Sequence, residues 1–122
     1  MSLNAYHQAR TYSETPRAVE YRLMNEITHE MVRARDAGLT GIALLPALHR
    51  NREMWGTFSI MCEDERNALP YDLRARIVSL AIWVNRHTTN VVRGKEAIED
   101  LIEINRIIMS GLERTEPTRS AA

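Results

Sequence analysis

Along most of this chain, apolar residues recur every three to four positions, and the stretches that carry them are separated by short breaks containing Gly, Pro, Ser and Thr. That period predicts helices throughout. Asn4 to Tyr12 reads as a short helix with Leu3, Tyr6 and Ala9 spaced to touch a neighbour, and Ser13, Glu14 and Thr15 interrupt it. Thr15 and Pro16 then form a cap and first-turn pair, because the hydroxyl accepts an orphan amide and proline has no amide to lose. The second helix runs from Pro16 to about Ala37 with Val19, Leu23, Met24, Ile27, Met31 and Ala34 along one side, and Gly38 ends it in a left-handed conformation.

A third helix begins between Thr40 and Pro46, where the proline sits in a first turn or produces a kink. Its stripe of Leu48, Asn51, Trp55, Phe58 and Cys62 is the sharpest amphipathic signal in the chain, with Met54 and Met61 on the flank. The fourth helix starts at Pro70 and continues to about Thr89. It presents Leu73, Ile77, Leu80 and Val84, while Val78, Ile82 and Trp83 widen the apolar arc well beyond one stripe. Gly94 separates it from the fifth helix, Ala97 to Leu112. There Ile98, Leu101, Ile102, Ile104, Ile107, Ile108, Met109 and Leu112 cover roughly 220° of the wheel, against roughly 100° for an ordinary surface helix.

The fold expected is therefore all-α, a small bundle of four main helices with a short N-terminal helix. It forms one domain over residues 1–112, followed by a disordered tail at residues 113–122. The surplus on the last two helices must be covered by neighbouring helices, by a second copy of the chain, or by another protein.

Composition narrows the function. A length of 122 residues supports a single core without staples, and sixteen basic residues against sixteen acidic ones leave a formal net charge of zero. That balance argues against a broad nucleic-acid face or a membrane-seeking surface. The N-terminus lacks the apolar run of a signal peptide, and the longest near-continuous apolar run, Ile42 to Leu48, is far too short for a bilayer. Cys62 is the sole cysteine, which excludes an internal disulfide and fits a reducing compartment. A soluble, cytoplasmic protein with no membrane partner is expected.

Candidate chemistry is sparse. Glu26 and His29 have the Glu-x-x-His spacing of carboxylate-bridged di-iron bundles, but His49 and His87 lack a glutamate three residues earlier, so no second copy exists and the pair reads as a solvated face. No metal ligands and no cofactor are expected. Cys62 lies on a packed stripe, where a thiol behaves as a small inert hydrophobe. No glycine-rich elbow or phosphate loop surrounds any Ser or Thr, so the chain reads as a non-enzyme. Arg74, Arg76, Arg86, Arg93 and Lys95 make a basic strip able to meet RNA phosphates. Glu96, Glu99, Asp100 and Glu103 follow at once, and antiparallel pairing of the fourth and fifth helices would neutralise both sets, so direct RNA binding is not favoured. Asn51 and Asn105 fall inside apolar arcs and read as amides that fix helix register. His87, at the edge of its stripe, reads as a satisfied packing residue.

Pro16-Arg17 with Glu20-Tyr21-Arg22-Leu23, Asn51-Arg52 with Trp55, Asn67, Leu69-Pro70, Leu73-Arg74, Trp83-Val84, and Asn105-Arg106 through Met109 and Gly111-Leu112 together resemble the bacterial FlaF family, over about Leu3 to Leu112. The resemblance implies a small cytoplasmic regulator of flagellum biogenesis, required for flagellin production and export and working with FlbT. It supplies no catalytic residues. A chaperone-like contact with unexported flagellin suits the surplus, since apolar surface of this kind would cover an amphipathic flagellin helix in a helix-in-groove mode. From the wheel alone, the partner-binding residues are Val78, Ile82, Ile104 and Ile107, with Ile60 contributing. The alternative is a post-transcriptional regulator that meets flagellin messenger RNA directly or through FlbT. A homodimer whose seam absorbs the surplus is the third reading.

Overall fold

The computed structural model describes residues 16–114, which form four helices: α1 (Pro16–Asp36), α2 (Leu45–Glu63), α3 (Tyr71–Val92) and α4 (Glu99–Arg114). These are the four main helices read from the periodicity, and no strand occurs among the described residues. The short helix expected at Asn4 to Tyr12 and the tail from residue 115 lie outside them. No helix among the described residues is long and apolar enough to cross a membrane.

Local chemistry sets the helix ends. Gly38, at φ 74°, closes α1. Its amide donates to the Arg35 carbonyl at 2.9 Å and that of Leu39 to the Ala34 carbonyl at 3.1 Å, the paired bonds of a Schellman turn. Gly94 closes α3 in the same way, with Lys95 reaching back to the Asn90 carbonyl at 2.8 Å. A short 3-10 turn, Gly41–Leu44, leads into α2 and leaves Pro46 in the first turn, so the proline starts the helix and does not kink it. Helix α3 runs three residues past its expected end, and α4 begins and ends two residues later than the spacing indicated. At the far end of α2, Arg74 donates from Nε to the Cys62 carbonyl and from Nη2 to the Asp64 carbonyl, both at 2.9 Å. Its positive charge sits where a helix carboxyl end is most negative.

Contacts between helices fix an up-down-up-down order. Glu30 of α1 pairs with Arg50 of α2, and Arg52 of α2 reaches the Asn85 carbonyl and Thr89 Oγ1 of α3 at 3.2 and 2.9 Å. The last helix lies mainly along α1, and its contact with α3 is thin. This corrects the expected neutralisation of the two charge runs: among the described residues, the polar side-chain contact that joins α3 to α4 is His87 Nε2 with Asp100 Oδ2 at 3.3 Å, and Arg74 is occupied at α2.

The centre is filled by Met24, Met31, Leu48, Trp55, Ile77, Leu101 and Ile108, each at most 1% exposed. Through it passes one polar chain. Asn105 accepts from Trp55 Nε1 at 2.8 Å, and donates to Asn51 Oδ1 at 2.8 Å and to Thr28 Oγ1 at 3.0 Å. The Thr28 hydroxyl in turn donates a hydrogen bond to the Met24 carbonyl at 2.7 Å. A single side chain thus ties α4 to α1 and α2, the register role read from the sequence.

Candidate functional site

Most of the apolar surplus of α4 is internal. Ile98, Leu101, Ile102, Ile108, Met109 and Leu112 are buried, whereas Ile104 is half-buried and Ile107 is exposed. The two residues that are not fully buried share a flank. Ile104 lies a heptad before Gly111 and Ile107 lies four residues before it, so all three point to one side of the helix. That side faces α3, because a Cβ built on Gly111 would stand 3.4 Å from Leu73 Cδ1.

Helix α3 answers with a matching flank. His87 Nε2 lies 3.2 Å from the Ala97 carbonyl and 3.3 Å from Asp100 Oδ2, at the start of α4. Leu80 and Trp83, a heptad and a turn before His87, therefore also face α4, and both are half-buried. Residue 87 level with 97–100 and residue 73 level with 111 put Ile104 and Ile107 opposite the stretch that carries Leu80 and Trp83. Leu80, Trp83 and Ile104 pack against the core but are only half covered, so the thin α3–α4 contact leaves a shallow apolar cleft, with Trp83 held by stacking on His87 at a centroid distance of 4.4 Å.

The five residues proposed from the wheel are not brought to one place. Ile104 and Ile107 line the cleft. Val78 and Ile82 lie a heptad before Asn85 and Thr89, the residues that Arg52 reaches, so they belong to the side of α3 towards α2. There Ile82 is 64% exposed on the outer crest. Ile60, 70% exposed, shares the outward side of α2 with Glu53 and Gly56, away from the Leu48 and Trp55 stripe. Leu80 and Trp83 complete the cleft. A wheel drawn for each helix alone cannot select them, since only the position of α4 makes their flank a wall.

Other groups are bound to structure. Cys62 is buried, and burial together with the Glu20 carboxylate pushes its thiol up to about 11, against an opposing pull from Arg74. The folded chain holds this proton above the unfolded value of 9.0. Its contribution to stability is therefore complete below about pH 9 and is lost as pH rises towards 11. At neutral pH the native thiol should react with Ellman's reagent at least about a hundredfold more slowly than the guanidinium-unfolded chain; equal rates would contradict the buried position. Glu26 and His29 are exposed, as a solvated face requires. Arg76, Arg86, Arg93 and Lys95 are also exposed, but Arg76 and Arg86 point about 80° apart, so they do not make one strip.

His87 is satisfied by Ala97 and Trp83, as read. It also has company that the helical period gave no reason to expect, since Glu96 and Asp100 lie beyond the Gly94 turn. One ligand atom from each of His87, Glu96 and Asp100 lies within 4.8 Å of the others.

Residues 2–112 match the family described as flagellar protein FlaF. No curated protein and no solved structure matches the chain. The positions that carry the resemblance are largely architectural, for Asn51, Trp55 and Asn105 form the buried polar chain, and Leu73 meets Gly111 where α3 and α4 touch. With the match spanning all but one residue at the start and ten at the end, the chain belongs to the FlaF family of flagellar proteins.

Proposed function

We propose that this protein acts in the cytoplasm, without enzymatic activity, as a chaperone-like binder of flagellin that supports flagellin synthesis and export, with FlbT as a further partner. The observation that supports this reading is the α3–α4 cleft, where Leu80, Trp83 and Ile104 are only half-buried and Ile107 is exposed, all on facing flanks of two helices in thin contact. An amphipathic helix laid there would bury its own stripe and widen the thin contact between α3 and α4. Each fully covered Ile or Leu contributes about 1.5–3 kcal/mol and association costs about 4 kcal/mol or more, so micromolar affinity, about 8 kcal/mol, requires roughly six such side chains counted over both partners.

The test is titration of purified flagellin into the wild-type chain and two variants. Ile107→Glu is expected to weaken binding by at least about tenfold, because a carboxylate in the cleft loses its hydration without gaining a partner. Ile82→Glu, on the other side of α3, is expected to stay within about twofold. Unchanged affinity in a well-folded Ile107→Glu variant would remove the cleft as the docking surface. A parallel titration with flagellin messenger RNA separates the alternative, since phosphate contacts weaken steeply between about 50 and 200 mM salt while apolar docking of flagellin does not.

A further inference from the structure

We infer that His87, Glu96 and Asp100 form a binding site for a divalent transition metal of the zinc class. The imidazole is held in place: His87 is 7% exposed and its ring is stacked on Trp83 with the planes only 20° apart. Its Nε2 therefore points in one direction, towards the Ala97 carbonyl and Asp100 Oδ2. Those two oxygens stand 3.2 and 3.3 Å from the nitrogen. The edge of a tetrahedron about an ion held at roughly 2.05 Å from each donor is about 3.3 Å. The two spacings from His87 Nε2 thus already match edges of such a coordination shell. The Glu96 carboxylate lies in the same cluster and is exposed, so it is free to turn inward as another ligand.

The Gly94 turn builds this arrangement. Its positive φ folds the chain back over the end of α3, which brings residues 96 and 100 beside residue 87. Two carboxylates supply two formal negative charges, more than the roughly half positive charge at the start of a helix that opposes a cation. One imidazole nitrogen with carboxylate and carbonyl oxygens suits Zn2+ or Co2+. It lacks the sulfur that copper(I) favours and the all-oxygen shell that Mg2+ and Ca2+ require. An ion there would link the end of α3 to the start of α4, at one end of the cleft, without depending on what the cleft holds.

The experiment is titration of the full chain with Zn2+ and Co2+ at about pH 7.5, with Mg2+ in parallel. The expected result is saturable binding of about one ion per chain, a higher unfolding midpoint with Zn2+, and quenching of tryptophan fluorescence by Co2+ that is mostly lost in Trp83→Phe. Glu96→Gln and Asp100→Asn alter exposed side chains, so both should fold, and each should weaken Zn2+ binding by about tenfold or more. Absence of saturable Zn2+ binding below roughly 1 mM would overturn the site, as would undiminished binding in the Glu96→Gln, Asp100→Asn double variant.

Discussion

Asn105→Ala is expected to lower the unfolding free energy by about 3–5 kcal/mol, a large share of the roughly 5–15 kcal/mol that holds a domain together. The substitution removes three hydrogen bonds at once, to Trp55, Asn51 and Thr28. It also leaves the Trp55 indole N–H as a buried donor with no acceptor, and such an orphan costs about 1–3 kcal/mol. The vacated volume adds a cavity between α1, α2 and α4. Thermal unfolding followed by circular dichroism should show a midpoint lower by more than about 10 °C. Asn51→Leu is expected to cost less. Asn51 makes one bond in this chain, and its Nδ2 is buried without a partner among the described residues, so leucine removes an orphan as well as a bond. Pairing the two substitutions should give a coupling of about 0.5–3 kcal/mol, as expected for side chains in one network. A loss below about 1 kcal/mol for Asn105→Ala would show that the chain of amides is incidental.

Ile108→Ala and Ile107→Ala, at neighbouring positions on one helix, should differ severalfold in effect. Ile108 is 0% exposed in the centre of the bundle, and truncation there costs about 2–5 kcal/mol through lost burial and residual cavity. Ile107 is 44% exposed at the cleft, so the same truncation should cost less than about 1 kcal/mol. Urea unfolding with a common slope would measure both differences. Flagellin titration should reverse the order: under conditions where both variants stay folded, Ile107→Ala weakens binding and Ile108→Ala leaves it near wild type. Similar stability losses at the two positions would mean that α4 is enclosed on every side, and the cleft would lose its basis.

The helices themselves were legible because their signals are local. A proline in a first turn, a glycine just past the last one and a stripe at three-and-four spacing each act within a few residues. Pro16, Gly38, the Leu48 to Cys62 stripe and Gly94 accordingly mark the elements that form. Asn51 and Asn105 were readable as register amides for the same reason, since a polar residue inside an apolar arc has few other uses. The candidate site was only half legible. Ile104 and Ile107 stand out as excess on their own wheel, but Val78, Ile82 and Ile60 stand out equally, and nothing along the chain says which excess faces which.

The sequence by itself therefore determined the class of fold, the four main helices and their buried stripes, because helical phase and end chemistry are set by neighbours along the chain. Tertiary structure alone decided that α4 lies along α1 and only brushes α3, that Leu80 and Trp83 join Ile104 and Ile107, and that Glu96 and Asp100 come to His87. Each of these depends on how whole helices are placed around the Asn105 network and the Gly94 turn. That placement is a balance of packing across the bundle, which no single stretch of residues contains.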